Sequence, residues 1–173
     1  MKASMYAVHG NSFFDSMEAY GRVWEQFPQV GIKYDPANWC HHGDDYLEIV
    51  RLYGDKISFV HIKEHLYIDG ELVSQPAAGM GDIQWGKVMA FLYEHGYDGY
   101  LSIEPHGPIW SRGEMRDKML LLTKKYMGQF LTNGRNQALA AFAVPLETLN
   151  TGILPNFHCQ VNKNRHFHPI SLL

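Results

Sequence analysis

Three short apolar runs in this chain each stop on residues that can bind a metal or carry a proton, and helix-length segments lie between them. VGIKYD closes on Asp35, ISFVHIKE on His61, Lys63 and Glu64, and YLSIE on Glu104. A run that is apolar along its length and polar where it stops reads as a buried parallel strand leaving its sheet. In α/β proteins that exit is the carboxyl-terminal rim, where ligands bind. Three such strands ending on Asp, His and Glu would bring two carboxylates and an imidazole to one rim. That donor set suits a divalent metal.

The surrounding pattern predicts strands at Met5–His9, Val30–Asp35, Ile57–Lys63 and Tyr100–Glu104. Helices are expected at Phe14–Phe27, capped by Asp15 or Ser12, and at His42–Tyr53, Ile83–His95 and Glu114–Tyr126. Asp82 is the expected cap of the third of these, and Gly96 its C′ residue. The loop Glu64–Gly81 carries a hairpin signal at Asp69-Gly70. The order β-α-β-α-β-α-β-α implies an α/β fold with parallel strands and helical crossovers. Four β/α units make half of a (β/α)8 barrel, which as a whole typically takes ~250 residues. A doubly wound sheet is the other arrangement, but no GxGxxG opens a helix after the first strand.

Composition narrows the function classes. At 173 residues the chain is long enough for one domain with a core, and 46% of it is hydrophobic. The formal charge of −3 and the lack of a Lys/Arg cluster argue against nucleic acid as the main partner. No apolar run is long enough to span a membrane, and the amino terminus lacks the apolar core of a signal peptide. Two cysteines, Cys40 and Cys159, with no CxxC make a disulfide framework improbable and point to a reducing cytoplasm. The composition shifts after about Thr132: Asn11 and Asn38 are the only asparagines before it, against six after, and Glu147 is the only acidic residue beyond Gly128. We therefore divide the chain into a domain over 1–127 and an irregular, non-homologous tail over 128–173, of the kind out-of-frame coding sequence would give.

VGIKYDPAN, FVHIKE, the GMGDIQW loop and GYDGYLSIE follow in the order and approximate spacing of the sugar isomerase/epimerase superfamily. This is the xylose isomerase-like TIM-barrel group that includes ketose 3-epimerases and inosose dehydratases. The chain resembles the carboxyl-terminal half of that barrel over roughly Met5–Tyr126, a partial (β/α)8 barrel of about four units. The resemblance implies a divalent metal, Mn²⁺, Mg²⁺, Co²⁺ or Zn²⁺, held at the rim by Glu, Asp, His and Glu. Asp35, His61 and Glu104 match the last three, and Glu104 also matches a catalytic carboxylate. The first would fall in Glu-x-His-Gly, where this chain has Ala7-Val8-His9-Gly10. His9 matches and Ala7 does not. Asn38 stands where the epimerases often carry a substrate-contacting His. The implied reaction moves a proton next to a sugar carbonyl through an enediolate, one carboxylate removing it and a second returning it. With one of the two missing, little or no epimerase activity is expected.

Each candidate has a plainer reading. Asp35 before Pro36 could only start a turn. His61 could be a hydrogen-bonded core residue. Glu104 ends an apolar strand, where an unpaired carboxylate is costly, and is the strongest single candidate. Lys63 would reach a substrate oxygen or simply be solvated, and Glu64 reads as a salt-bridge partner. Gly79-Met80-Gly81 could offer N–H groups to an anion or merely let the loop turn. Two open sheet edges call for a homo-oligomer, for a missing amino-terminal half-barrel or for a degraded gene product, and a truncated gene model is the expected account of the length. A sugar or polyol isomerase and a non-catalytic interaction module both remain open. A nuclease on the same barrel would need more ligands and a basic groove, and neither is visible.

Overall fold

The computed structural model describes residues 3–8, 12–131 and 171–172. Its centre is a parallel sheet of β1 (Ser4–Tyr6), β2 (Gly31–Tyr34), β3 (Ile57–Ile62), β6 (Tyr100–Ile103) and β7 (Ser171–Leu172), in the order β1-β2-β3-β6-β7. Between β3 and β6 lies a separate antiparallel hairpin, β4 (Leu66–Ile68) and β5 (Glu71–Ser74). Its two-residue turn, Asp69-Gly70, has φ of 52° and 84°, the doubly positive geometry that the Asp-Gly signal favours. The helices are α1 (Met17–Gln26), α2 (Pro36–His41), α3 (Tyr46–Tyr53), α4 (Trp85–Glu94) and α5 (Gly113–Gly128). This is the parallel sheet with helical crossovers that the alternation predicts, consistent with a partial (β/α)8 barrel.

Several boundaries differ from the expected ones, each for a local reason. Ser16, not Asp15 or Ser12, caps α1, its Oγ accepting from Ala19 N–H at 3.4 Å. The helix expected over His42–Tyr53 is two helices. Pro36, which suits the first turn of a helix, starts α2 directly after β2. Gly43 then breaks the path at φ 84°, and Asp45 caps α3 by accepting from Leu47 and Glu48 N–H. Asp82 does not cap α4; its Oδ2 accepts from Tyr67 N–H at 2.7 Å and ties the hairpin to the loop. Gly96 does close α4: its N–H reaches Tyr93 O and the Tyr97 N–H reaches Leu92 O, with Gly96 at φ 65°. At the expected domain boundary, α5 continues to Gly128, and Phe130 and Leu131 pack on the core. Most of the tail lies outside the described residues, although Ser171 and Leu172 pair with Tyr100 and Leu101.

The ladders sort the strand residues onto two faces. Met5, Ile32 and Ile57 pair across β1, β2 and β3, and Tyr34, Val60 and Leu101 across β2, β3 and β6; all are buried. Against them pack Tyr20, Trp39, Ile49, Val50, Val88 and Leu92 from the helices. The other face carries Tyr6, Lys33 and Phe59 in one paired row and His61 opposite Ser102 in the next, all only partly buried. Ser58 is passed over by the ladder between Ile32 and Lys33, and its hydroxyl donates to Ile32 O at 3.1 Å. Gly31 allows this approach, since a Cβ there would stand 2.5 Å from Ser58 Oγ. In a closed barrel the second face is the interior.

Candidate metal centre

The carboxyl-terminal ends of β2, β3 and β6 bring Asp35, His61 and Glu104 together, with one ligand atom from each within 4.8 Å of the others. Asp35 does two jobs at once. Its Oδ1 accepts from Asn38 N–H at 3.1 Å and caps α2, which satisfies the turn reading. Its Oδ2 faces the site, 3.9 Å from His61 Nδ1, and accepts from the Tyr6 hydroxyl at 3.1 Å. His61 Nδ1 lies 2.9 Å from Glu104 Oε2. The rings of Tyr6 and Phe59 pack in T-shaped contact with the imidazole, with ring centres 5.7 and 5.5 Å away. Glu104 leaves β6 with its own N–H bonded to Ile62 O at 3.0 Å.

Exposure separates the three. Asp35 is 1% exposed, the His61 side chain 12% and the Glu104 side chain 32%. Glu104 is the one that solvent or a ligand reaches. The hydrogen bond with His61 pulls its carboxyl down to about 2, outweighing desolvation, with the nearby Lys63 ammonium adding to the effect. Two carboxylate oxygens and one imidazole nitrogen at these separations fit a divalent cation by donor chemistry. The residues present therefore suit the group that the resemblance implies.

The remaining candidates fall differently. Lys63 is not solvated: it is 2% exposed. Its Nζ donates to Asn38 Oδ1 and lies 3.1 Å from Asp35 Oδ2 and 3.9 Å from Glu104 Oε2. Asn38 is equally buried, and its Nδ2 donates to the Tyr6 hydroxyl at 3.0 Å and to Ala7 O at 2.8 Å. Both sit behind the rim, bonded to the candidate ligands. His9 lies outside the described residues. Ala7 is buried and contributes a carbonyl; among the described residues of this end of the sheet, the side chain that reaches the site is Tyr6. Tyr6 is the residue the sequence reading missed. Burial first, and then the charges of Asp35 and Glu104, hold its phenol far above the ordinary range.

Among the described residues Glu64 has no salt-bridge partner. It is buried, and its carboxylate accepts four N–H groups: His65 and Ile83 on Oε1 at 3.0 Å each, Gly79 and the Trp85 indole on Oε2 at 3.1 Å each. Burial raises its pKa and these bonds oppose the rise. The glycine loop thus does present N–H to an anion, and the anion is the chain's own carboxylate. Gly81 must stay bare, because a Cβ there would fall 2.1 Å from His65 O.

No helix among the described residues is long and apolar enough to cross a membrane. No curated protein matches the chain. Solved structures share the fold, two of them as follows. A xylose isomerase domain protein from Planctomyces limnophilus is 23% identical with a TM-score of 0.59, over 75% of this chain and 46% of that one. A second, from Alicyclobacillus acidocaldarius subsp. acidocaldarius, is 22% identical with a TM-score of 0.54, over 75% of this chain and 50% of that one. The chain thus spans about half the length of these structures. A family profile described as xylose isomerase-like TIM barrel matches residues 4–125, nearly all of the sheet and the helices that cover it, and the chain belongs to that family.

Proposed function

We propose that this chain is a divalent-metal-dependent isomerase or epimerase acting on a sugar, sugar phosphate or polyol, with its turnover impaired as the sequence stands. The observation that carries the reading is the convergence of Asp35, His61 and Glu104 at the ends of three neighbouring parallel strands. These three would hold Mn²⁺, Mg²⁺, Co²⁺ or Zn²⁺. When bound, the cation supplies positive charge that stabilises an oxyanion developing on the substrate carbonyl.

The chain's own groups handle the proton. Glu104 is the accessible carboxylate and takes the proton from the carbon beside the carbonyl, giving the enediolate. A group held at about 2 is ionised across the physiological range but is for that reason a weak base. Asp35 is buried and committed to α2, Tyr6 and Lys63, so it does not reach the opposite face of a sugar. Ala7 stands where the family would supply a second carboxylate, and no other carboxylate joins the cluster among the described residues. Proton return is the step that suffers. Asn38 acts as a positioning residue that holds Asp35.

The reading also calls for the open inner face of the sheet to be covered, by a second copy or by an amino-terminal half-barrel, in a cytoplasmic setting. The chain spans about half the length of the two solved structures, which supports the need for such cover. The second reading, a non-catalytic barrel module, is favoured by Ala7 and by the ammonium already seated among the ligands. Metal content separates the two. Elemental analysis after Mn²⁺ or Co²⁺ loading and dialysis should give one ion per chain, lost in Asp35→Ala and Glu104→Ala. Loaded protein should exchange the α-proton of a ketose with deuterated solvent slowly. No metal uptake would leave the module reading standing in its place.

A further inference from the structure

We infer that the Lys63 ammonium is a built-in competitor for the cation and sets how weakly this chain holds it. The inference rests on the metal reading above and adds a residue that works against it.

Three observations carry it. The first is identity of the oxygens. Lys63 Nζ lies 3.1 Å from Asp35 Oδ2 and 3.9 Å from Glu104 Oε2, and these are the same two oxygens that face His61 Nδ1 at 3.9 and 2.9 Å. An ammonium and a divalent cation are therefore drawn to one pair of acceptors. The second is that the ammonium is anchored. It donates to Asn38 Oδ1, while the Asn38 amide is itself fixed by Tyr6 and by the Ala7 carbonyl. With Lys63 at 2% exposure and Asn38 at 1%, the ammonium must give up a buried, hydrogen-bonded position to make way for a cation. The third is charge. Asp35 and Glu104 bring two negative charges, and Lys63 cancels one of them before any metal binds. Ala7 supplies none to restore the balance. Like charges a few ångströms apart in a poorly solvated site repel strongly.

The expected consequence is a site of the right donors and reduced affinity. Lys63→Met removes the charge and keeps an unbranched side chain one atom shorter; Lys63→Arg keeps the charge. By calorimetric titration with MnCl2 and CoCl2, K63M should bind at least about tenfold more tightly than the unaltered chain, and K63R should stay within about threefold of it. Circular dichroism checks that each variant folds. Should K63M fail to fold, Lys63→Gln, which is neutral but keeps a polar N–H donor, carries the same expectation. An independent readout uses the unaltered chain: Zn²⁺ should shift the Lys63 Nζ–H resonance, assigned by its loss in K63Q. Equal or weaker binding by the charge-removed variant, with clear binding by the unaltered chain, overturns the role of Lys63 and leaves the metal reading intact. No binding by any of the proteins overturns both.

Discussion

Replacing Glu104 by Gln should flatten the acid side of the stability profile. The Glu104 carboxyl falls from its ordinary 4.5 to about 2 in the folded chain, chiefly through the hydrogen bond with His61. A group whose folded pKa is depressed contributes stability above its unfolded pKa and loses it as pH falls through the folded one. The window is therefore pH 4.5 down to about 2. A fall of that size corresponds to about 3 kcal/mol before screening. Because the side chain is 32% exposed, solvent reduces the realised amount to about 1–2 kcal/mol. Urea denaturation at a series of pH values reads it directly, with the metal-free protein in both arms. At pH 6.5 the unaltered chain should exceed E104Q by about 1–2 kcal/mol, and by pH 2.5 most of that gap should close. Two curves that fall in parallel across the window would refute the pairing of His61 with Glu104 as an energetic contact.

Two further perturbations test the loop that frames the site. Glu64→Gln keeps two acceptor bonds on Oε1 but turns an amide N–H₂ toward the N–H groups of Gly79 and Trp85, so a loss of about 2 kcal/mol is expected by urea titration at neutral pH. A change below about 0.5 kcal/mol would mean that removing the buried charge offsets both lost bonds. Gly81→Ala forces a Cβ against the His65 carbonyl, a backbone atom that cannot step aside, and should cost about 1–3 kcal/mol with a visible change in the Trp85 fluorescence. An unchanged melting temperature and spectrum would show that the loop has another way to accommodate the methyl group.

How much of this was legible in the sequence depends on how far apart the cooperating residues lie. Asp35, His61 and Glu104 could be found because each ends its own apolar run, and parallel strands end on a common rim. Lys63 was legible in part. It lies two residues beyond His61, and alternate residues of a strand share a face, so its direction followed from spacing while its burial did not. Tyr6 gave no such signal. An aromatic inside MYAVH reads as core, and only the packing of the sheet shows it beside Asp35. Glu64 was misread because its donors come from residues 79, 83 and 85, across a hairpin, and no local pattern announces backbone N–H groups that far away. The split between α2 and α3 was present in Pro36, Gly43 and Asp45. The apolar period of Tyr46–Tyr53 concealed it by extending plausibly backward to His42.

The site's geometry is fixed by the face of the sheet that does not carry it. Val60 and Leu101 are paired across β3 and β6, and Ile62 is paired with Ile103, with Val60, Ile62 and Leu101 at 0% exposure under the helices. Slipping either ladder by one residue would turn His61 or Ser102 into that packed layer and bring an apolar side chain to the rim. Burying an imidazole or a hydroxyl there without partners costs several kcal/mol, far more than any contact at the rim returns. The alternation of the apolar runs therefore selects the register, and the register places the donors. This is why the three candidate ligands can assemble within four β/α units: they come from adjacent strands, and the two ladders between them, β2 with β3 and β3 with β6, lie within the described residues. What adjacency cannot supply is a side chain from across a closed barrel, and the face bearing Lys33, Phe59 and Ser102 stays only partly covered. Convergence of the three candidate donors is a local property of this chain, whereas closure of a barrel around them is not.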